Sequence, residues 1–182
     1  MLIYIILGLV IIIFIFIFIV YNDLIKLNNK VKEAFSTMDV YLKKRWDLIP
    51  NIVEAVKGYA EYEKSTLENV VRLRSLIYDD MNIDDKIKVN EDLSKNINRI
   101  MALIESYPEL KASDNFKDLS MKLTKVEDDI ANSRKYYNGV VRIFNNKVEM
   151  FPSNLVAKLF GYKSKPMFKI SADERDNVKL EL

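Results

Sequence analysis

A chain of 182 residues with 28 basic and 26 acidic side chains is close to neutral, which excludes the strong basic excess of a general nucleic-acid binder. With no Cys and no His, it has no disulfide, no thiolate nucleophile, no Cys-based zinc or iron–sulfur site, and neither the commonest general base nor the commonest metal ligand. Four Gly and four Pro suit long helices rather than a many-turned sheet.

Residues 2–20 read LIYIILGLVIIIFIFIFIV, with no charge and 17 of 19 positions Leu, Ile, Val or Phe. At ~1.5 Å rise per residue this run is about 28 Å long, close to the ~30 Å hydrocarbon thickness of a bilayer. At ~0.3–0.6 kcal/mol per residue, insertion is favoured by up to roughly 5–10 kcal/mol. The rival reading, a cleaved signal peptide, fits less well. The apolar run exceeds the usual ~7–15 residues, no basic residue precedes it, and no small-x-small cleavage site follows. Residues 1–21 are therefore expected to be an uncleaved transmembrane anchor. Lys26, Lys30 and Lys32 follow it closely, and the positive-inside rule then places the short N-terminus outside the cell membrane and the bulk of the chain in the cytoplasm.

About 160 residues remain, enough for one domain with its own core. The first helical stretch, about 22–46, carries Leu24, Leu27, Val31, Phe35, Met38 and Leu42 at spacings of three and four, and nothing breaks it from the span. A second is expected over about 48–78, with Asp47 as N-cap and Pro50 in its first turn. The alternative is one long helix kinked at Pro50, but a turn gives four stretches of similar length, which close into a bundle more naturally. A third runs about 83–106, with Leu93, Ile97, Ile100 and Ile104, and ends at Tyr107-Pro108. The fourth, about 114–149, shows Phe116, Leu119, Leu123, Val126, Ile130, Ser133, Tyr137, Val140, Phe144 and Val148 alternating by three and four, the mark of a bundle seam or of a partner-binding coiled coil. Beyond Phe151-Pro152, a short amphipathic piece with Leu155, Val156, Leu159 and Phe160 on one side is closed by Gly161. In the polar tail, 167–170 and 178–182 could pair as two short strands. The expected fold is thus all-α: a transmembrane helix (1–21), an up-and-down antiparallel four-helix bundle (22–150), and a short amphipathic helix with a loosely structured tail (151–182).

Several runs at this spacing resemble the LemA family of bacterial membrane proteins. They are Arg45-Trp46-Asp47 with Pro50-Asn51, Gly58-Tyr59 with Glu63, Glu105 with Tyr107-Pro108, Glu127, Arg134, Tyr137-Asn138 and Phe151-Pro152. The resemblance reaches from the anchor to about Phe168. It implies a membrane-tethered up-and-down four-helix bundle and no settled biochemical activity. It further implies that some relatives help build or shape internal membranes and that others are encoded near membrane proteases. Some relatives carry a lipoprotein-type Cys after the apolar run. This chain has none and keeps its helix as anchor. Tyr62 stands where many relatives have His, which removes any role that needs an imidazole there.

The basic cluster Lys43-Lys44-Arg45-Trp46 could bind phosphate or acidic lipid. Yet Arg45 lies 25 residues past Val20, roughly 37 Å along a helix, several times the ~8 Å Debye length. The plainer reading is a solvated bundle tip, with Trp46 packed over the 107–112 loop. Glu127, Arg134 and Asn138, at separations of seven and four, are expected to be paired internally and to fix helix register. A catalytic carboxylate would need a second one across a cleft, and nothing in the sequence pairs Glu54, Glu63 or Glu105. Di-metal sites in bundles use Glu-x-x-His pairs, and there is no His. No catalytic residue, metal site or cofactor is expected, and no small-molecule substrate.

If the bundle runs up and down, the end of the fourth helix returns to the membrane. It would bring Phe151, Leu155, Leu159 and Phe160 there, interleaved with Lys158, Lys163 and Lys165, as an interfacial segment requires. The alternative is that this piece only caps the bundle core. The expected function is a membrane-anchored, non-enzymatic scaffold that contacts lipid, forms a homo-oligomer and organises membrane or other membrane proteins. An adaptor for one membrane protein, such as a membrane protease, is the alternative, and a carboxylate-based hydrolase a remote one.

Overall fold

The structure, a computed structural model, describes residues 1–57 and 78–168. Those residues are helical almost throughout, with no strand among them. A long apolar N-terminal helix leads into a helical bundle. The expected second helix beyond residue 57, with Gly58, Tyr59, Tyr62 and Glu63, lies outside the described residues, as does the tail from 169.

Helix α1 spans Leu2–Lys57. The expected turn at Asp47 is not there: Asp47 and Pro50 are exposed positions inside this helix. The buried stripe explains why. Leu42, Arg45, Trp46, Ile49, Ile52 and Val56 are all buried, at helical spacing that keeps its phase through Pro50. Proline removes one helical hydrogen bond, the one to the Trp46 carbonyl, and costs about 3 kcal/mol in a helix interior. Burying three large side chains around it contributes about 1.5–3 kcal/mol each, which outweighs that cost.

A single 3-10 turn at Tyr78–Asp80 precedes α2, Ile83–Ile104. Asn82 caps α2: its Oδ1 accepts from the Asp85 amide at 2.9 Å, and its Nδ2 donates to the Asp85 carboxylate at 2.6 Å. α2 buries Ile87, Asn90, Leu93, Ile97, Ile100 and Ile104, and stops two residues before the expected boundary. Helix α3, Pro108–Ala112, has its proline in the first turn, where no amide hydrogen is missed. Helix α4 spans Asp114–Glu149, as expected from its periodicity. None of its ten seam positions is exposed, so that seam is core.

Helix α5 covers Ser153–Leu159 and ends in a Schellman motif. The Tyr162 amide reaches the Ala157 carbonyl at 2.9 Å and the Gly161 amide reaches Lys158 at 3.2 Å. Gly161 has φ 74°, a conformation in which a side chain would be strained.

The chain forms two compact units. One comprises Met1–Phe35 with Arg134–Leu182, the other Ser36–Ser133. In the first, α1 and α4 run antiparallel, with Lys147 paired to Asp23 at 3.1 Å and Phe35 edge-on to Tyr137 at 5.8 Å. Its core holds Leu24, Val31, Phe35, Tyr137, Phe144, Val156 and Phe168.

Candidate functional site

The most built polar constellation lies in the unit Ser36–Ser133 and centres on Arg45, which is fully buried. Its Nη1 donates to Ser94 Oγ at 2.7 Å and to both Glu127 carboxylate oxygens at 3.1 Å. Its Nη2 donates to the carbonyl and side-chain oxygens of Asn90 at 3.0 and 2.7 Å. Asn90 in turn donates to the Lys86 carbonyl at 2.8 Å. Beside this cluster, Asp39 accepts from the Tyr78 hydroxyl at 2.6 Å and pairs with Lys86 at 2.9 Å. Burial, reinforced by the Asp39 carboxylate, pushes the Tyr78 hydroxyl well above its ordinary pKa. The Trp46 ring lies 5.1 Å from that of Tyr78.

This corrects the expectation of a solvated basic tip. Lys44 is exposed, but Arg45 and Trp46 are buried and internally engaged. The assembly joins α1, α2 and α4, and its two cations face two anions. A balanced, buried set of this kind is one means of fixing helix register. Among the described residues, no three carboxylates converge on a point where a metal could sit.

Glu127, Arg134 and Asn138 do not pair with one another. Glu127 serves Arg45, whereas Arg134 and Asn138 hold the tail. Asn138 donates to the Phe168 carbonyl at 2.9 Å and accepts from the Phe168 amide at 3.0 Å. Asn145 treats Lys165 identically, at 2.9 and 2.8 Å. Between them, the Tyr137 hydroxyl donates to the Pro166 carbonyl at 3.1 Å. The spacing matches: seven helical residues rise about 10.5 Å and three extended residues span about 10 Å. The Phe168 ring lies between Tyr137, at 5.8 Å, and the Arg134 guanidinium, at 5.3 Å. The segment 162–168 is thus a strap along α4, with no strand within it. Sequence reasoning missed Asn145 and the strap. The spacing of Asn138 and Asn145 was the available signal.

The remaining motif residues line the surface. Asn51 borders an open groove with Glu54, Leu110 and Phe116. Glu105 borders another with Met101, Phe116 and Met121. Tyr107 is half-buried just ahead of Pro108. Lys26, Lys30 and Lys32 are exposed, as are Phe151, Pro152, Leu155, Lys158, Leu159, Phe160 and Lys163. Val156 was expected beside Leu155 and Leu159 but is buried, because it lies on the inner side of α5 with Ser153 and Ala157. Lys165 turns back, its Nζ 5.4 Å from the Phe144 ring.

The sequence model of the LemA family matches residues 34–182. The chain belongs to the LemA family. It is 28% identical over 161 residues to Protein LemA of Metamycoplasma hominis, covering 86% of this chain and 72% of the relative. It is 22% identical over 175 residues to Magnetosome protein MamQ 2 of Paramagnetospirillum magneticum, covering 82% of this chain and 64% of the relative. It is 30% identical over 67 residues to Magnetosome protein MamQ of Magnetospirillum gryphiswaldense, covering 37% and 25%. The chain therefore spans just under two thirds of the length of MamQ 2. The apolar first part of α1 makes this helix of the LemA family member long and apolar enough to cross a membrane.

Proposed function

We propose that the chain is a membrane-anchored, non-enzymatic scaffold that works by self-association and organises the membrane around it. The observation that carries this reading is the continuity of α1. The first part of this one helix exposes large side chains suited to lipid, such as Leu2, Phe14 and Phe18, and its remainder is bundle core. The buried polar cluster supports it, since its groups are engaged with one another. The names of two relatives place them in the magnetosome, which fits a role at an internal membrane. Lys26, Lys30 and Lys32 favour a cytoplasmic bundle, so alkaline phosphatase fused to the C-terminus should be inactive.

The test is to extract the full chain in mild detergent, measure its mass by light scattering and identify co-purifying protein by mass spectrometry. A homo-oligomer without companions supports the scaffold. A small species with one stoichiometric foreign protein overturns it in favour of an adaptor.

A further inference from the structure

The first unit contains the end of the membrane span, the end of α4, α5 and the strap, so their mutual placement is defined. Side chains from Leu2 to Phe16, and again at Phe18 and Ile19, are mostly exposed, and burial begins at Val20, which is 4% exposed. The residue after it, Tyr21, has its ring 4.4 Å from that of Phe160. The C-terminal end of α5 therefore lies beside the end of the span. Its inner side is Ser153, Val156 and Ala157, all buried. Its outer side presents Leu155 at 59% and Leu159 at 70% exposure, with Phe151 at 78% just ahead. Lys158 is exposed among them, and Lys163 follows the Schellman turn. Large apolar groups fully in water beside a lipid-facing helix are costly, and lysines at that depth can reach the headgroups.

We infer that the outer face of α5 lies in the bilayer interface, as a second membrane contact in the leaflet that the C-terminal end of the span crosses. Phe151, Leu155 and Leu159 enter the acyl boundary. Tyr21 and Phe160 form an aromatic pair at headgroup level, and Lys158 and Lys163 face anionic lipid. This rests on the membrane reading of α1. The occupant is lipid because the face is continuous with the span and carries cations at its edge.

The chain has no Cys, so single-Cys variants accept one fluorophore each. Leu155→Cys, Leu159→Cys, Ile12→Cys in the span and Tyr136→Cys on the exposed side of α4 would be labelled in the full chain. Each would be reconstituted in vesicles of phosphatidylcholine and phosphatidylglycerol carrying spin-labelled lipid. Leu155 and Leu159 should be quenched several-fold more than Tyr136, and best by shallow spin labels, with Ile12 quenched best by deep ones. If Leu155 and Leu159 behave like Tyr136 while Ile12 is quenched, the second contact is overturned and the anchor stands. An unquenched Ile12 overturns the membrane reading itself. Probes at 155 and 159 that are shielded from water yet untouched by either spin label mean that protein covers the face, which also overturns the contact. Lys158→Glu with Lys163→Glu should reduce shallow quenching on anionic vesicles, and unchanged quenching overturns the headgroup assignment.

Discussion

Arg45 and Glu127, 82 positions apart, meet through one guanidinium nitrogen, Nη1, which reaches both carboxylate oxygens at 3.1 Å. Arg45 is wholly buried while the Glu127 side chain is 35% exposed, so the two partners have different worth. Arg45→Ala should destabilise by about 3–5 kcal/mol, because it strands the Asn90, Ser94 and Glu127 acceptors and empties a packed site. Glu127→Ala empties less space but leaves the buried guanidinium without its counter-charge, and should cost about 3 kcal/mol, the lower end of the same range. Urea unfolding of both single variants and the double variant checks this. A coupling indistinguishable from zero would show that the pair does not act as a unit.

Pro50 gives a sharper test because the two readings of it predict opposite signs. Inside α1 it lacks one helical hydrogen bond and crowds the preceding turn. Pro50→Ala should therefore stabilise the fold by about 1–3 kcal/mol, part of the bending cost having been absorbed by packing. At the start of a separate helix the same change would be neutral or mildly destabilising. A shift in the urea midpoint at constant slope decides between them.

Tyr78 links the register cluster to pH. Its hydroxyl faces Asp39, with Lys86, Lys43 and Arg45 as the nearby cations. In the native state its proton is held above the ordinary tyrosine value of about 10, and the unfolded chain releases that proton first. Above pH ~10 the native state binds more protons than the unfolded one, so the stability due to Tyr78 is full below pH ~10 and declines as pH rises further. Tyr78→Phe should cost about 1–2 kcal/mol at pH 7. That cost should shrink between pH 10 and 12, which paired unfolding curves would show. A gap that widens in that range contradicts the assignment.

The strap predicts a local effect. Asn138→Ala or Asn145→Ala each removes two hydrogen bonds, at a cost of about 1–3 kcal/mol. Because those bonds hold only the segment 162–168, cleavage by trypsin after Lys163 should speed up more than global unfolding does. Equal acceleration at sites in α2 would argue that the strap is no separate unit.

How much of this could be read from residues depended on where the partner lay. The span, α4 and the closure at Gly161 are legible because each is written in local spacing or a single backbone requirement. The uninterrupted course of α1 was also present, in the phase of Leu42, Trp46, Ile49, Ile52 and Val56, but the proline outweighed it. The partners of Arg45 were not legible. A basic side chain in a run of three looks solvated, and what buries this one lies 45 to 82 positions away. Asn145 escaped for a related reason: its spacing from Asn138 was there to be read, but its partner is a peptide group, so the spacing names no partner.

Main-chain partners constrain how the tail can change. Asn138 and Asn145 grip main-chain atoms, so they are indifferent to which side chains stand at positions 165 and 168. What they measure is distance. Exchanging strap residues for any but proline leaves that main-chain grip intact, at the cost only of the ring contacts of Tyr162, Lys165 and Phe168, whereas inserting or deleting one residue between the two gripped peptides puts one Asn out of reach. The segment is free to drift in composition and locked in length.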